Sequence, residues 1–250
     1  MRAILTYHSI DPSGSVISTS EETFRRHVQW LARGDVKVLS IQDLLKLGDD
    51  VDAVALTFDD GFANFEETAA RVLREAGLRA TVFVVTDCVG GTNSWEFRSG
   101  ANVPMLPLMD WHQLSKLHED GFAVGGHTRS HENLARLRGA ELAEELGGCA
   151  DRIARELGTR PAGFAYPFGA TSPAAQREVS EVFSFACTTE FRLLDHPAPA
   201  HLLPRLDMFY FREPGRLESF GTPAFARYVS LRGKGRRLRS SIARALKRRR

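Results

Sequence analysis

The chain has 250 residues, 43% of them hydrophobic and 26% charged, which supports a sizeable folded core and excludes the low-apolar, high-charge class of chains that stay unfolded. Its net charge of +2 hides an asymmetry. Eleven Lys or Arg and no acid fall between Arg227 and Arg250, leaving 22 basic and 31 acidic groups, a net of −9, in the first 226 residues. The expected organisation is therefore one acidic domain over 1–226 and a basic tail over 227–250.

No run of 18 apolar residues exists and the opening MRAILTYHSI has no leader-like apolar stretch, so a cytoplasmic location is expected. Three widely spaced cysteines, Cys88, Cys149 and Cys187, form no CxxC pair and read as reduced thiols. In chain order, residues 3–7 read as a strand and 21–33 as a helix with Phe24, Val28 and Leu31 on one face. Strands are predicted at 36–41 and 51–58. Phe65, Ala69, Val72 and Ala76 then recur at helical spacing up to Gly77, and 80–85 (ATVFVV) is an apolar run of the kind buried on both faces of a parallel sheet.

Residues 87–108, rich in Gly, Asn and Pro, form a long loop. Asp110 N-caps a helix ending near Glu119, a strand follows at 122–125, and 140–157 is a long helix closed by Gly158. Strands at 163–166 and 185–189 flank a helix that opens at Ser172-Pro173, and a last short strand is expected at 202–206. About seven alternating βα units imply an α/β fold, a parallel sheet with helices outside it, closed as a barrel or doubly wound. An incomplete, distorted TIM-like (β/α)7 barrel is the favoured reading.

In such folds the C-terminal strand ends face the ligand, and two motifs fall there. Thr57-Phe58-Asp59-Asp60-Gly61 ends the third strand: its carboxylates are placed for chemistry, or one of them simply caps the next helix. His127 and His131, after Gly125-Gly126, can converge on one metal where the backbone turns helically, although an HxxxH pair also arises by chance. Taken together they explain each other. Two histidines and one aspartate supply the three ligands of a catalytic divalent ion with an open position, while the second aspartate stays free to take a proton from water.

A cation also keeps two adjacent carboxylates ionised. Phe164-Ala165-Tyr166-Pro167-Phe168-Gly169 ends another strand and either aims a backbone N–H at an oxyanion or is a plain turn. His8, after the first strand, is a general acid or a structural histidine.

The set TFDDG at 57–61, HTRSH at 127–131 and YPFG at 166–169 resembles the polysaccharide deacetylase family, the carbohydrate esterases of family 4 that share the NodB homology domain. The likeness spans about residues 2–210. It implies Asp59 as catalytic base, Asp60, His127 and His131 as ligands of a divalent metal, most often zinc, and the Phe168 backbone N–H as oxyanion donor. Two departures stand out: the position of the family's base-orienting arginine is Ala165, and His201 does not match the family's late acid histidine.

The opening Tyr7-His8 and the FAYPFG form resemble the branch acting on poly-N-acetylglucosamine, in which the acid histidine comes first. On that resemblance His8 is the acid and Arg205 stands in for the missing arginine. The expected reaction is removal of N-acetyl groups from an N-acetylated sugar, polymeric, oligomeric or lipid-linked, with release of acetate. An O-acetyl esterase using the same site and a sugar-binding relative without turnover are the alternatives. Tyr166, Pro167 and Trp95 are expected to contact the sugar, with Trp111 as a further aromatic face.

In the tail, Leu238, Ile242, Ala245 and Leu246 share one side of a helix among arginines, which suits an anionic inner-leaflet surface or a solvated tail. No aromatic interleaving or motif supports nucleic-acid binding.

Overall fold

The strands Arg2–Tyr7 (β1) and Ala53–Phe58 (β5) are buried at every position, as an apolar run covered on both faces requires, and they pair in parallel along their whole length, Arg2 against Ala53 through Tyr7 against Phe58. They are the centre of the computed structural model, which describes residues 1–48, 50–95 and 103–247, with side chains described as far as residue 239. Between them lie the short strands Ser9–Ile10 (β2), Ser18–Thr19 (β3) and Lys37–Val38 (β4).

Further strands are Thr81–Val84 (β6), Ala123–Gly126 (β7), Gly163–Ala165 (β8), Phe185–Cys187 (β9) and Leu206–Asp207 (β10). The main sheet runs β10-β1-β5-β6-β7-β8-β9, all parallel, with β4 paired to β5. It curls into the incomplete (β/α) barrel expected. Its two edges are joined by a single irregular segment: Leu203 bridges to Cys187 of β9, and Leu206 and Asp207 pair with Leu5 and Thr6 of β1.

Helices Glu21–Leu31 (α1), Ile41–Lys46 (α2), Arg71–Glu75 (α3), Trp111–Glu119 (α4), Gly139–Ala143 (α5), Cys149–Leu157 (α6) and Pro173–Val182 (α7) accompany the sheet. Two are entered through π-helical turns, Phe65–Ala70 before α3 and Glu144–Gly148 between α5 and α6. Asp110 forms a full capping box with Gln113, Ser172 caps α7 ahead of Pro173, and Gly158 closes α6 in the left-handed conformation. The strand expected over 36–41 is only Lys37–Val38, because Ser40 accepts from the Asp43 N–H and starts α2 there.

At the closed end of the sheet Arg2 is buried and donates to the carbonyls of Leu44, Leu47 and Asp195. At the other end, a Cβ on Gly125 would lie 2.5 Å from the Phe83 ring, so only glycine lets the chain leave β7 at this approach.

The basic segment is not a separate tail at its start. Helix Pro223–Lys247 (α8) begins ahead of residue 227, and it buries Phe225 and Val229 in the main core. The body and basic segment are joined by contact: Arg232 lies over the Tyr210 ring at 4.5 Å, and Arg236 donates to the Tyr210 hydroxyl at 2.9 Å. The amphipathic face expected from Ile242, Ala245 and Leu246 lies outside the described side chains. Among the described residues, no helix is long and apolar enough to cross a membrane.

Candidate active site

Asp59 and Asp60 follow β5, His8 follows β1, His127 follows β7 and Phe168 follows β8, so they share one rim of the parallel sheet, and Arg205, ahead of β10, reaches that rim through its long side chain. The Asp59 N–H donates to the Tyr7 carbonyl at 3.0 Å, which extends the β1–β5 ladder by one step and brings His8 alongside Asp59. His8 Nε2 stands 3.9 Å from Asp59 Oδ2.

Asp60, His127 and His131 are all buried, with one ligand atom from each within 4.8 Å of the others. Asp60 Oδ1 is 3.4 Å from the Nε2 of His127 and 3.4 Å from that of His131. A tetrahedral ion with ligand atoms at about 2.1 Å would separate two of them by about 3.4 Å. Asp60 Oδ1 has no hydrogen-bond donor of good geometry among the described residues, a buried oxygen left over for a cation.

The His127 Nδ1–H donates to the Ala165 carbonyl at 2.7 Å, which turns the other ring nitrogen, Nε2, toward Asp60 as the atom available to a metal. Thus the residue that replaces the expected arginine sets the histidine tautomer through its backbone. The donor set, two imidazoles and a carboxylate, fits a borderline ion such as Zn2+.

Electrostatics follow from these contacts. Burial pushes the Asp60 carboxyl up, but the two imidazoles facing it hold it well below the usual carboxylate range. Burial pushes His127 down, yet Asp60 and Asp59 more than offset this and raise it. Asp59 is likewise held below its ordinary value against burial, chiefly by Arg205.

A guanidinium does sit on Asp59, and it comes from Arg205. Nη1 and Nη2 each reach a different oxygen of the carboxylate at 2.6 Å, while Nε donates to the Thr188 carbonyl and Nη1 to Thr6 Oγ1, both at 3.0 Å. Arg205 is fully buried because it lies on the segment that closes the barrel.

The histidine loop does not turn helically, as convergence of the pair was expected to require. Instead Thr128 (φ 66°) and His131 (φ 62°) are left-handed, and the His131 N–H donates to Thr128 Oγ1 at 2.9 Å. The only other non-glycine residues of positive φ among those described are Asp60 (φ 73°) and Phe168 (φ 59°), so the strained backbone is concentrated at this rim. Glu145, on the π-helical turn, fastens the loop by accepting from the N–H groups of Arg129 (2.8 Å) and Ser130 (3.1 Å) and from Ser130 Oγ (2.6 Å). Neither Thr128 nor Glu145 was singled out from the sequence.

Several expected sugar contacts are placed otherwise. Trp95 is buried and stacks on the His131 imidazole, centroids 4.7 Å apart, so it fixes a ring instead of offering a face. The Tyr166 ring has 0% exposure and packs edge-on against Phe164 inside the core. Pro167 is buried in the turn below. Trp111 lies on α4 beneath the Arg152 guanidinium, and His201 serves the fold by bonding the Phe183 carbonyl at 2.9 Å. Phe168 is the open one: the residue is 54% exposed, and its ring meets His131 edge-on at 4.7 Å.

The chain also offers Asp207, overlooked in the sequence. Burial raises its carboxyl, while His8 and Arg236, the latter 3.7 Å away, act against that rise.

This arrangement has counterparts. The chain is 27% identical over 131 residues to a chitin deacetylase of Arthroderma benhamiae, covering 52% of this chain and 31% of that protein. It is 28% identical over 108 residues to the poly-beta-1,6-N-acetyl-D-glucosamine N-deacetylase of Staphylococcus epidermidis, 42% of this chain and 34% of that one. It spans less than half of the length of the curated relatives it matches. Its fold is similar to that of IcaB from Ammonifex degensii, with a TM-score of 0.72 at 23% identity over 90% of this chain and 96% of that one. The sequence profile of the polysaccharide deacetylase family matches residues 46–182, more than half of the length, and the chain belongs to that family.

Proposed function

We propose that the chain is a metal-dependent hydrolase that removes the N-acetyl group from an N-acetylated sugar and releases acetate. The observation that carries this reading is a buried Asp60–His127–His131 set beside a second carboxylate, Asp59, gripped by Arg205. A divalent ion held by that set supplies Lewis acidity, polarising the acetyl carbonyl and lowering the pKa of water.

The chain's own groups do the rest. Asp59, kept ionised and oriented by the arginine fork, takes the proton of the attacking water. The Phe168 backbone N–H donates to the oxyanion as the carbonyl carbon becomes tetrahedral. His8, 3.9 Å from Asp59, protonates the departing sugar amine. Arg205 and Trp95 act as positioning residues, on Asp59 and His131 respectively.

The test is acetate release from a panel of N-acetylated and O-acetylated saccharides before and after chelation. Chelator-sensitive release from the N-acetylated members is expected. Release from the O-acetylated members alone reassigns the site to ester cleavage, and release that chelation does not affect overturns the reading.

The same proposal puts the outer part of α8 on the anionic inner leaflet of a membrane, in a cytoplasmic enzyme. Leu231 and Leu238 are exposed on a helix that carries basic residues and no acid, and each Lys or Arg at such a surface contributes about 1 kcal/mol.

A further inference from the structure

Beside the candidate metal centre lies a second cleft, of about 570 Å³, within the span of roughly 300–1,000 Å³ usual for ligand sites. Phe168 is a wall of both. One edge of its ring meets His131, and its exposed part faces the cleft, so a ligand held there abuts the reacting centre. Hydroxyls and an amide line one side, from Thr171, Gln176, Thr188 and Thr189. The other side is α8, through Gly233, Arg236 and Arg237.

That wall is built closely. A Cβ at Gly233 would lie 2.4 Å from the Phe191 carbonyl oxygen, so a side chain there would push the helix off the body and widen the cleft. Arg236 is fixed by the rings of Phe191 (5.6 Å) and Tyr210 (5.2 Å) and by its ion pair to Asp207. Arg237 reaches Glu190, the one acid among the lining residues, at 3.4 Å. Arg192 also holds Glu190, at 3.1 Å, so this carboxylate keeps a partner if Arg237 turns to a ligand. Of the side chains that line the cleft, Arg236 is answered by Asp207 from outside it, and Arg237 is the exposed guanidinium whose one carboxylate, Glu190, has a second arginine, so Arg237 is the group free to turn to a ligand.

We infer that this cleft is a subsite for an oxyanion carried by the saccharide, a phosphate or a carboxylate, read by Arg237 with Arg236 in support. The substrate class is then an acetylated sugar bearing negative charge on itself or on its neighbour. The inference rests on the deacetylase reading for what happens next door, but the binding site stands on its own residues. Planar guanidinium forks suit both kinds of oxyanion.

The test is calorimetric binding to the full chain under chelation, with methyl N-acetylglucosaminide, N-acetylglucosamine 1-phosphate and an N-acetylglucosaminyl-glucuronate disaccharide as probes. At least one charged probe is expected to bind about 10-fold more tightly than the neutral one, the order of one charge-assisted hydrogen bond. Which charged probe does so separates phosphate from carboxylate. Arg237→Gln, at a side chain 57% exposed and so harmless to the fold, is expected to remove that difference and leave neutral binding unchanged. Equal binding of all three probes, or an equal loss for charged and neutral probes in Arg237→Gln, overturns the subsite. Acetate release by the metal-loaded chain is read separately: its absence with the charge preference intact overturns the reaction and not the subsite.

Discussion

Replacing Arg205 by Met isolates the contact on which the proposed base depends. The substitution keeps a long apolar stem and removes two charge-assisted bonds to Asp59, both at 2.6 Å, together with those to Thr6 and Thr188. Breaking a buried ion pair on one side costs about 3–5 kcal/mol, because the partner is left charged and unpaired. For a chain of this size that is a fall in Tm of roughly 6–20 °C.

The pH dependence has a definite sign. In the wild type the folded-state pKa of Asp59 is depressed, so its contribution to stability is present above the unfolded value of about 3.9 and lost as pH falls through the folded one. Without Arg205 burial prevails and the folded pKa rises above the unfolded value. The variant is then most stable at acid pH and loses stability as pH climbs towards the raised pKa. Since the base must be ionised to act, the acid limb of kcat/KM moves to higher pH and turnover at neutral pH falls by about 100-fold or more. Arg205→Lys keeps the charge without the fork and falls between the two. Adding Asp59→Asn to Arg205→Met restores part of the lost Tm, since no buried charge remains. Thermal melts and kcat/KM profiles across pH check each point, and an Arg205→Met variant with the wild-type acid limb and Tm refutes the reasoning.

His8→Ala is expected to lower turnover about 100-fold while zinc content, measured by elemental analysis, stays at the wild-type level; unchanged turnover removes His8 from the mechanism. Glu145→Ala strips three bonds from the histidine loop and is expected to weaken zinc affinity by about 10–100-fold in competition with a chelating dye. Wild-type affinity would mean that the loop holds itself. Deleting residues 240–250, which removes five of the eleven clustered basic groups, is expected to reduce sedimentation with anionic vesicles and leave Tm unchanged. Deletion from residue 230 removes the Arg236 contacts as well and lowers Tm; a full chain that never sediments with vesicles ends the membrane proposal.

The parts of this architecture that depend on local pattern were readable in advance. The apolar run at 80–85, the cap at Asp110 and the Ser172-Pro173 start all express preferences of a few neighbouring residues, and β6, α4 and α7 follow them. Helix α2 also had a local signal, Ser40 three residues ahead of Asp43, which the β-branched run before it obscured. The remainder depends on distant partners. Left-handed Thr128 and His131 go against their own backbone preference, and what opposes that preference is Glu145, on another element. Gly233 lies inside a helix, where glycine is disfavoured, and the reason is distant: the close approach to Phe191 requires the missing side chain. The Arg205–Asp59 pair joins residues 146 apart, a separation that no periodicity encodes.

That separation matters most for the order in which the molecule is made. The segment that joins the two sheet edges comes after nearly all of the barrel in the chain, and Arg205 also reaches Thr6 across 199 residues. Contacts of such range form only after large loops have been closed, which places them late in folding. Until that seam shuts, Asp59 lacks its guanidinium and the barrel has an open edge. On the proposed mechanism, closing that seam is also what grips the base, so conformational completion and chemical competence go together.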